Sequence, residues 1–169
     1  MFACFYPDEY LDSAYSIDYE ELYREGIRGL LFDIDNTLVP HGAPADERTI
    51  LLFKHLKELG FRSCFLSNNQ YERVASFNDS VKESFIENAH KPSVRNYRKA
   101  MKLLGTDEKS TVFIGDQLFT DIFGAKRSGI RTILVKPIHP KEEIQIVLKR
   151  YLEKIILFFY QRSRKQVSR

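Results

Sequence analysis

Two carboxylates stand one residue apart at the end of an apolar run, where Leu30 to Phe32 leads into Asp33-Ile34-Asp35-Asn36-Thr37. The run is long enough for a buried strand. An aspartate at such a strand's end is costly unless its charge is compensated, and a second one beside it compounds the cost. A divalent cation would compensate both. In open α/β sheets, ligands bind at the carboxyl ends of the strands, where these side chains would emerge. The pattern therefore points to a magnesium-dependent site that handles phosphate. Asn36-Thr37 reads as a turn, so Asp33 and Asp35 can diverge around one phosphorus instead of pointing the same way. One carboxylate, ionised at neutral pH with a reference pKa of about 3.9, can attack phosphorus and form an aspartyl-phosphate. The other can protonate the leaving oxygen and then activate water. A lone pair of this kind is equally an Asp-Asn turn ending a strand, so residues elsewhere must decide.

They follow in order. After Gly60 a second apolar strand, Phe61 to Leu66, ends in Ser67-Asn68-Asn69. A hydroxyl there, beside backbone N–H groups at a helix start, can hold phosphoryl oxygens. Ala89-His90-Lys91-Pro92-Ser93 places Lys91 just before a helix with Ser93 as its expected N-cap. That lysine supplies a fixed positive charge for the phosphate and the nucleophile. Thr111 to Ile114 forms another buried strand leading into Gly115-Asp116 and on to Asp121, a second strand-end acid pair with the hard oxygens magnesium prefers. Each signal alone has a plain structural explanation; four in register at four strand ends argue for one phosphate site.

The ordered set D-x-D-x-T, strand-end Ser, Lys-Pro and G-D-x-x-x-x-D resembles the haloacid dehalogenase (HAD) phosphatase superfamily over residues 26 to about 136. The segments GIRGLLFDIDNTLV, LSNN, AHKP and GDQLFTD resemble its subclass IIIA, YqeG-type branch, related to mitochondrial phosphatidylglycerophosphate phosphatases. The resemblance implies Asp33 as nucleophile, Asp35 as general acid/base and Thr37 as loop support. It implies Ser67, Asn68 and Lys91 as phosphate ligands, and magnesium held by Asp33, Asp116 and the backbone carbonyl of Asp35. Asp121 would orient the metal's surroundings. No motif residue is missing.

The elements that must position these residues alternate between strand and helix. Asp46 to Leu59 carries Leu52, Phe53, Leu56 and Leu59 at helical spacing, with Asp46 an N-cap and Gly60 a C-terminal stop. Tyr71 to Lys82 reads as a helix and Phe85 to Asn88 as a short strand. Val94 to Leu104 is a helix facing inward with Tyr97, Ala100, Met101 and Leu104. Phe119 to Ser128 is a further helix and Arg131 to Val135 the last strand. This order implies a parallel α/β sheet with right-handed crossovers. With the resemblance, the expected fold class is α/β, a three-layer Rossmann-like HAD fold with a parallel sheet of about five strands. One domain is expected over 1–169, its core at about 26–136.

HAD enzymes of small metabolites usually carry a cap domain after the first motif or between the second and third. Here the link from Leu38 to Phe61 has room for one helix, and that from Ser67 to Lys91 for one helix and one short strand. The expected site is capless and open, which by family analogy suits large substrates such as proteins, nucleic-acid ends or lipid head groups.

With 43% apolar and 29% charged residues, the 169-residue chain has an ordinary globular balance. Its two cysteines suggest no disulfide framework, and a reducing, cytoplasmic setting is expected. The apolar run Phe2 to Tyr6 stops at Pro7-Asp8-Glu9, too short for a signal peptide or a membrane span. Of the four histidines, His41 and His90 adjoin the motifs, but each reads more readily as solvated or structural. Residues 141 to 169 hold eight basic against three acidic residues, a net +5 in a chain of +3. A helix over about 141–161 carries the apolar stripe Ile144, Leu148, Tyr151 and Ile155, then the all-apolar run Ile155 to Tyr160. The favoured reading packs it on the sheet and on Phe2–Tyr6. The sharper one makes it a docking face for an anionic bilayer, at the inner face of the membrane. Nucleic acid is not expected, since the charge is modest and no recognition motif accompanies it.

The expected function is magnesium-dependent hydrolysis of a phosphomonoester, with phosphatidylglycerophosphate or another lipid-linked phosphate as leading substrate. The alternatives are a nucleotide, sugar or phosphoprotein phosphatase, or a non-catalytic module that keeps the fold.

Overall fold

The computed structural model describes residues 3–139 and 144–167. Its frame is one parallel sheet of β1 (Glu9–Leu11), β2 (Gly29–Phe32), β3 (Arg62–Leu66), β4 (Ser84–Ile86), β5 (Thr111–Gly115) and β6 (Arg131–Val135), in the order β1-β6-β5-β2-β3-β4. β2 lies between β3 and β5, with Phe32 opposite Phe65 and Ile114, so the segments after these three strands share one rim.

Alternation along the strands divides the core. Leu30 and Phe32 of β2, Phe65 of β3, and Val112 and Ile114 of β5 face one side. There they meet α1 (Tyr19–Arg24), α2 (Glu47–Leu59) and α3 (Tyr71–Asn78) through Tyr19, Leu22, Phe53, Leu56, Val74 and Phe77. Leu31, Cys64, Leu66 and Phe113 face the other, against α4 (Val94–Leu104) and α5 (Phe123–Arg127) through Tyr97, Ala100, Met101, Leu104 and Ala125. The period of two sends neighbouring side chains to opposite faces, so helices on both sides are needed.

Most elements arise where expected. Asp46 caps α2 by accepting from the Thr49 N–H at 2.8 Å, and Gly60, at φ 97°, ends it in the left-handed conformation. Four differences stand out. The sheet has six strands, not about five. The extra one, β1, is short and acidic and has no apolar alternation to betray it; it pairs with β6, next to an Asp8 carboxylate that accepts from the Thr132 N–H and Oγ1 at 2.8 and 2.7 Å. The helix expected over Tyr71 to Lys82 ends at Asn78, whose side chain bonds both backbone groups of Glu83 and turns the chain into β4. Ser93 occupies the N-cap position of α4 but makes no side-chain capping bond. The helix expected from Phe119 begins as a π-helical turn, Leu118–Ile122, before α5.

The last helix, α6 (Ile144–Val167), also differs. The residues expected at 141–143 lie outside the described residues. Tyr151 and Ile155 of the expected buried stripe are exposed; Ile156 and Tyr160 are buried instead, one position out of phase. They pack with Leu118, Ile122 and Leu134 and, from the N-terminal segment, Phe5 and Tyr6, so the expected contact with that segment forms. Phe2 lies outside the described residues. No described helix is long and apolar enough to cross a membrane.

Between β2 and β3 the one helix is α2; between β3 and Lys91 there are α3 and β4 and no further element. The rim is uncapped.

Candidate active site

The rim assembles what the sequence spread over 90 residues. Asp33 leaves β2 with its N–H donating to the Ile114 carbonyl at 2.9 Å, which fixes it beside β5. The chain then reverses. Asn36 takes a left-handed φ of 62°, and the N–H groups of Thr37 and Leu38 return to the Ile34 carbonyl. This turn separates the two carboxylates as the Asn-Thr pair suggested, and Asp33 and Asp35 enter different surroundings.

Asp33 faces inward. Its Oδ1 accepts from Lys91 Nζ at 2.7 Å, and the same ammonium lies 2.8 Å from Asp121 Oδ1. Asp116 accepts from Thr37 Oγ1 at 3.2 Å. Carboxylate oxygens of Asp33, Asp116 and Asp121 all lie within 4.8 Å of one another, and all three residues are buried. Gly115 makes the approach of Asp121 feasible, because a Cβ there would stand 2.5 Å from Asp121 Oδ2. The same oxygen accepts from the Gln117 N–H at 3.1 Å, and Tyr97 Oη donates to the Asp121 carbonyl.

Asp35 lies outside this trio. Its oxygens accept from the Gly42 N–H at 2.7 Å, Asn69 Nδ2 at 2.6 Å and the Arg73 guanidinium at 2.8 Å. The trio thus holds the side chain of Asp121 and not that of Asp35. Ser67 is buried, and its Oγ accepts from the Asn69 N–H at 3.1 Å. The Asn68 side chain accepts from the Lys91 N–H at 2.7 Å and so ties the β3 and β4 loops together.

Charge is unbalanced here. Three buried carboxylates face two cations, Lys91 and Arg150, the latter ion-paired to Asp116 Oδ2. Burial pushes the Asp33 carboxyl up to about 6; Lys91 opposes this and Asp121 adds to it. Burial, reinforced by Asp121 and Asp33, drives Asp116 well above the carboxylate range. Burial would lower Lys91, but Asp121 and Asp33 outweigh it and hold the ammonium above its ordinary value. A cluster of hard oxygens with surplus negative charge suits a hard divalent cation, which would return these groups to their ionised forms.

Several contributors escaped the sequence reading. Arg73 sits in the first turn of α3, where the helix dipole disfavours a cation, and that misplacement was its available signal. Arg150 and Glu153 come from α6. Arg150 donates to the Asp116 carbonyl at 2.6 Å as well as pairing with its carboxylate, and it meets Glu153 at 2.9 Å. Glu153 in turn accepts from the Leu118 N–H at 2.8 Å. An acid three residues after an arginine, between Leu152 and Lys154 and just ahead of the apolar run, was the trace this left.

The HAD-hydrolase-like family model matches residues 88–143, which include Lys91, Asp116 and Asp121. Over 90% of both chains the sequence is 35% identical to the probable phosphatase YqeG of Bacillus subtilis. The chain belongs to the HAD phosphatases, in their YqeG-type branch. It is also 28% identical to phosphatidylglycerophosphate phosphatase 1 of Arabidopsis thaliana, over 82% of this chain and 45% of that one. Among solved structures, a HAD phosphatase from Thermococcus onnurineus shares the fold at a TM-score of 0.51 and 17% identity, covering 59% of this chain and 50% of that one. As a HAD phosphatase the protein is a phosphoric monoester hydrolase.

Proposed function

We propose that the protein is a magnesium-dependent phosphatase working through an aspartyl-phosphate on Asp33, with phosphatidylglycerophosphate or another lipid-linked phosphomonoester as substrate. The carrying observation is the buried trio of Asp33, Asp116 and Asp121 with Lys91 between two of its members. The metal would be held by Asp33, Asp116 and the backbone carbonyl of Asp35, and when bound it would neutralise charge on the phosphoryl group.

A carboxylate oxygen of Asp33 attacks phosphorus, the bond to the leaving oxygen breaks, and Asp35 gives that oxygen a proton. Water then attacks the aspartyl-phosphate. Asp35 takes its proton, the acyl–phosphate bond breaks at phosphorus, and inorganic phosphate leaves with Asp33 restored. Lys91 holds Asp33 and offers positive charge to the phosphoryl oxygens, which Ser67 and the Asn68 backbone N–H bind. Thr37 holds Asp116, and Asp121 keeps Lys91 in place. Arg73 and Asn69 orient Asp35 while it exchanges roles between the half-reactions.

The lipid substrate draws on the uncapped rim, which suits a bulky leaving group, and on the likeness to a relative named for phosphatidylglycerophosphate. The test is phosphate release from an aryl phosphate, phosphatidylglycerophosphate, a nucleotide, a sugar phosphate and a phosphopeptide, with magnesium and with chelator. The expected result is magnesium-dependent release, with the largest kcat/KM on the lipid. A larger kcat/KM on a small phosphate would overturn the lipid reading. No turnover of any by folded protein would leave a module that keeps the fold without the reaction.

A further inference from the structure

α6 has two unlike faces. Glu153, Ile156 and Tyr160 are buried, Ile156 in the small core of Leu118, Ile122 and Leu134, with the Tyr160 ring against Tyr6 at 5.5 Å. Across the helix, Tyr151, Leu152, Ile155 and Phe158 are 64, 52, 52 and 59% exposed. At 3.6 residues per turn these four occupy about a third of the helix circumference along two turns. Single exposed apolar residues are ordinary, but a continuous stripe of large ones marks a contact surface.

Basic residues accompany the stripe. Lys154 and Arg162 are exposed, and Arg164 and Lys165 follow in the sequence of the same helix. The segment 141–169 is net +5. We propose that this face of α6 docks on the surface of an anionic lipid bilayer. The helix lies along the surface, with Tyr151, Leu152, Ile155 and Phe158 in the headgroup–acyl boundary and Lys154 and Arg162 on the lipid charge.

Charge selects this occupant over a second copy of the chain. A symmetric pairing through α6 would bring two +5 segments together, whereas an anionic surface complements them. Burial of Glu153 and of the Arg150 pair against the rim fixes which face is left outward. The same contacts put the first exposed residues, Tyr151 and Leu152, next in sequence to a side chain that touches Asp116. A docked bilayer would therefore lie beside the sheet's catalytic rim. That consequence for catalysis rests on the lipid-phosphate reading; docking itself does not.

The test is co-sedimentation of the full chain with vesicles of phosphatidylcholine alone and of phosphatidylcholine mixed with phosphatidylglycerol, at low and high salt. Binding is expected to the mixed vesicles and to be released by salt, as screening shortens the Debye length. Replacing Lys154 and Arg162 together by Gln should weaken partitioning by roughly 25-fold, about fivefold per charge. Ile155→Ser with Phe158→Ser should weaken it at least about tenfold while the melting temperature holds, since both side chains are exposed. Failure to bind mixed vesicles at low salt would overturn the proposal, as would binding that these variants leave intact. A dimer in solution that the Ser variant dissolves would assign the face to a second copy instead. Hydrolysis of a short-chain, soluble phosphatidylglycerophosphate separates the two readings. Turnover without vesicle binding removes the docking face alone, and vesicle binding without turnover removes the lipid substrate alone.

Discussion

The sheet rim and the outer face of α6 invert each other. At the rim, Asp33, Asp116 and Asp121 bury charge that would be better solvated in water; on α6, Tyr151, Leu152, Ile155 and Phe158 expose apolar surface that would be better buried. The buried charge costs stability in the isolated chain and the exposed stripe costs solubility, and a partner of matching chemistry would relieve each. A divalent cation with a phosphate would relieve the first, and an apolar, anionic surface the second. The two regions meet in one place, where Arg150 and Glu153 join α6 to the Asp116 segment. Whether they act separately or as one unit can be measured.

The largest effect separates them. Asp33→Asn should reduce hydrolysis of an aryl phosphate to background, because an amide cannot attack phosphorus as a carboxylate does. Vesicle binding should be untouched. Substantial activity in the pure Asn variant would remove Asp33 as nucleophile.

A smaller effect tests the joint. Arg150→Lys keeps a positive charge but loses the fork that grips both the carbonyl and the carboxylate of Asp116. The magnesium concentration needed for half-maximal thermal stabilisation should rise by about 10–100-fold, the usual cost of disturbing a group that orients a metal ligand. A magnesium titration that overlays wild type would reduce the Arg150–Glu153 pair to packing.

The metal-free rim should also declare itself in pH dependence. The folded-state carboxyl of Asp33 is raised to about 6 from an ordinary 3.8. Between those values the native state keeps a proton that the unfolded chain has released, so stability falls as pH rises through that window. Asp116 is raised as well and acts in the same direction. In chelator, the melting temperature should decline from about pH 4 to about pH 6, and saturating magnesium should flatten the decline. Asp33→Asn should lessen it. A metal-free melting temperature that rises across the window, equally in both proteins, would mean that the rim is not strained by its own charge.

The two regions were also unequally legible in the sequence. The rim was readable because its chemistry is carried by short strings at strand ends: an apolar run dictates the strand, and the residue after the run must lie on the rim. Asp33 and Asp116 follow from that rule, whereas Lys91, five residues past β4, was placed by the helix start that follows it. Arg73 and Arg150 follow from neither, because their roles depend on how a helix is rotated against the sheet. The apolar run Ile155 to Tyr160 contains several equally hydrophobic phases, so periodicity could not choose between Ile155 and Ile156 as the inward residue. What decides is a polar anchor, Glu153 on the Leu118 N–H, which sets the helix rotation. β1 was hidden for the opposite reason. Its place at the sheet edge is fixed by ion pairs such as Glu9 with Arg131 at 2.7 Å, not by an apolar pattern.

The smallest expected effect is also the sharpest check on that rotation. Ile155 and Ile156 are adjacent, identical in chemistry, and 52% and 5% exposed. Ile156→Ala removes buried methyl groups from the Leu118–Ile122–Leu134 core and should cost about 2–5 kcal/mol, a fall of roughly 5–15 °C in melting temperature. Ile155→Ala removes exposed surface and should change stability by no more than about 0.5 kcal/mol. Vesicle affinity should rank the other way, with Ile155→Ala the weaker binder and Ile156→Ala, assayed well below its melting temperature, close to wild type. Equal losses of stability from the two variants would mean that both faces of α6 are packed in solution. The outer stripe would then belong to a protein contact, and the opposition between a charge-burying rim and an apolar-exposing helix would collapse into a single extended core.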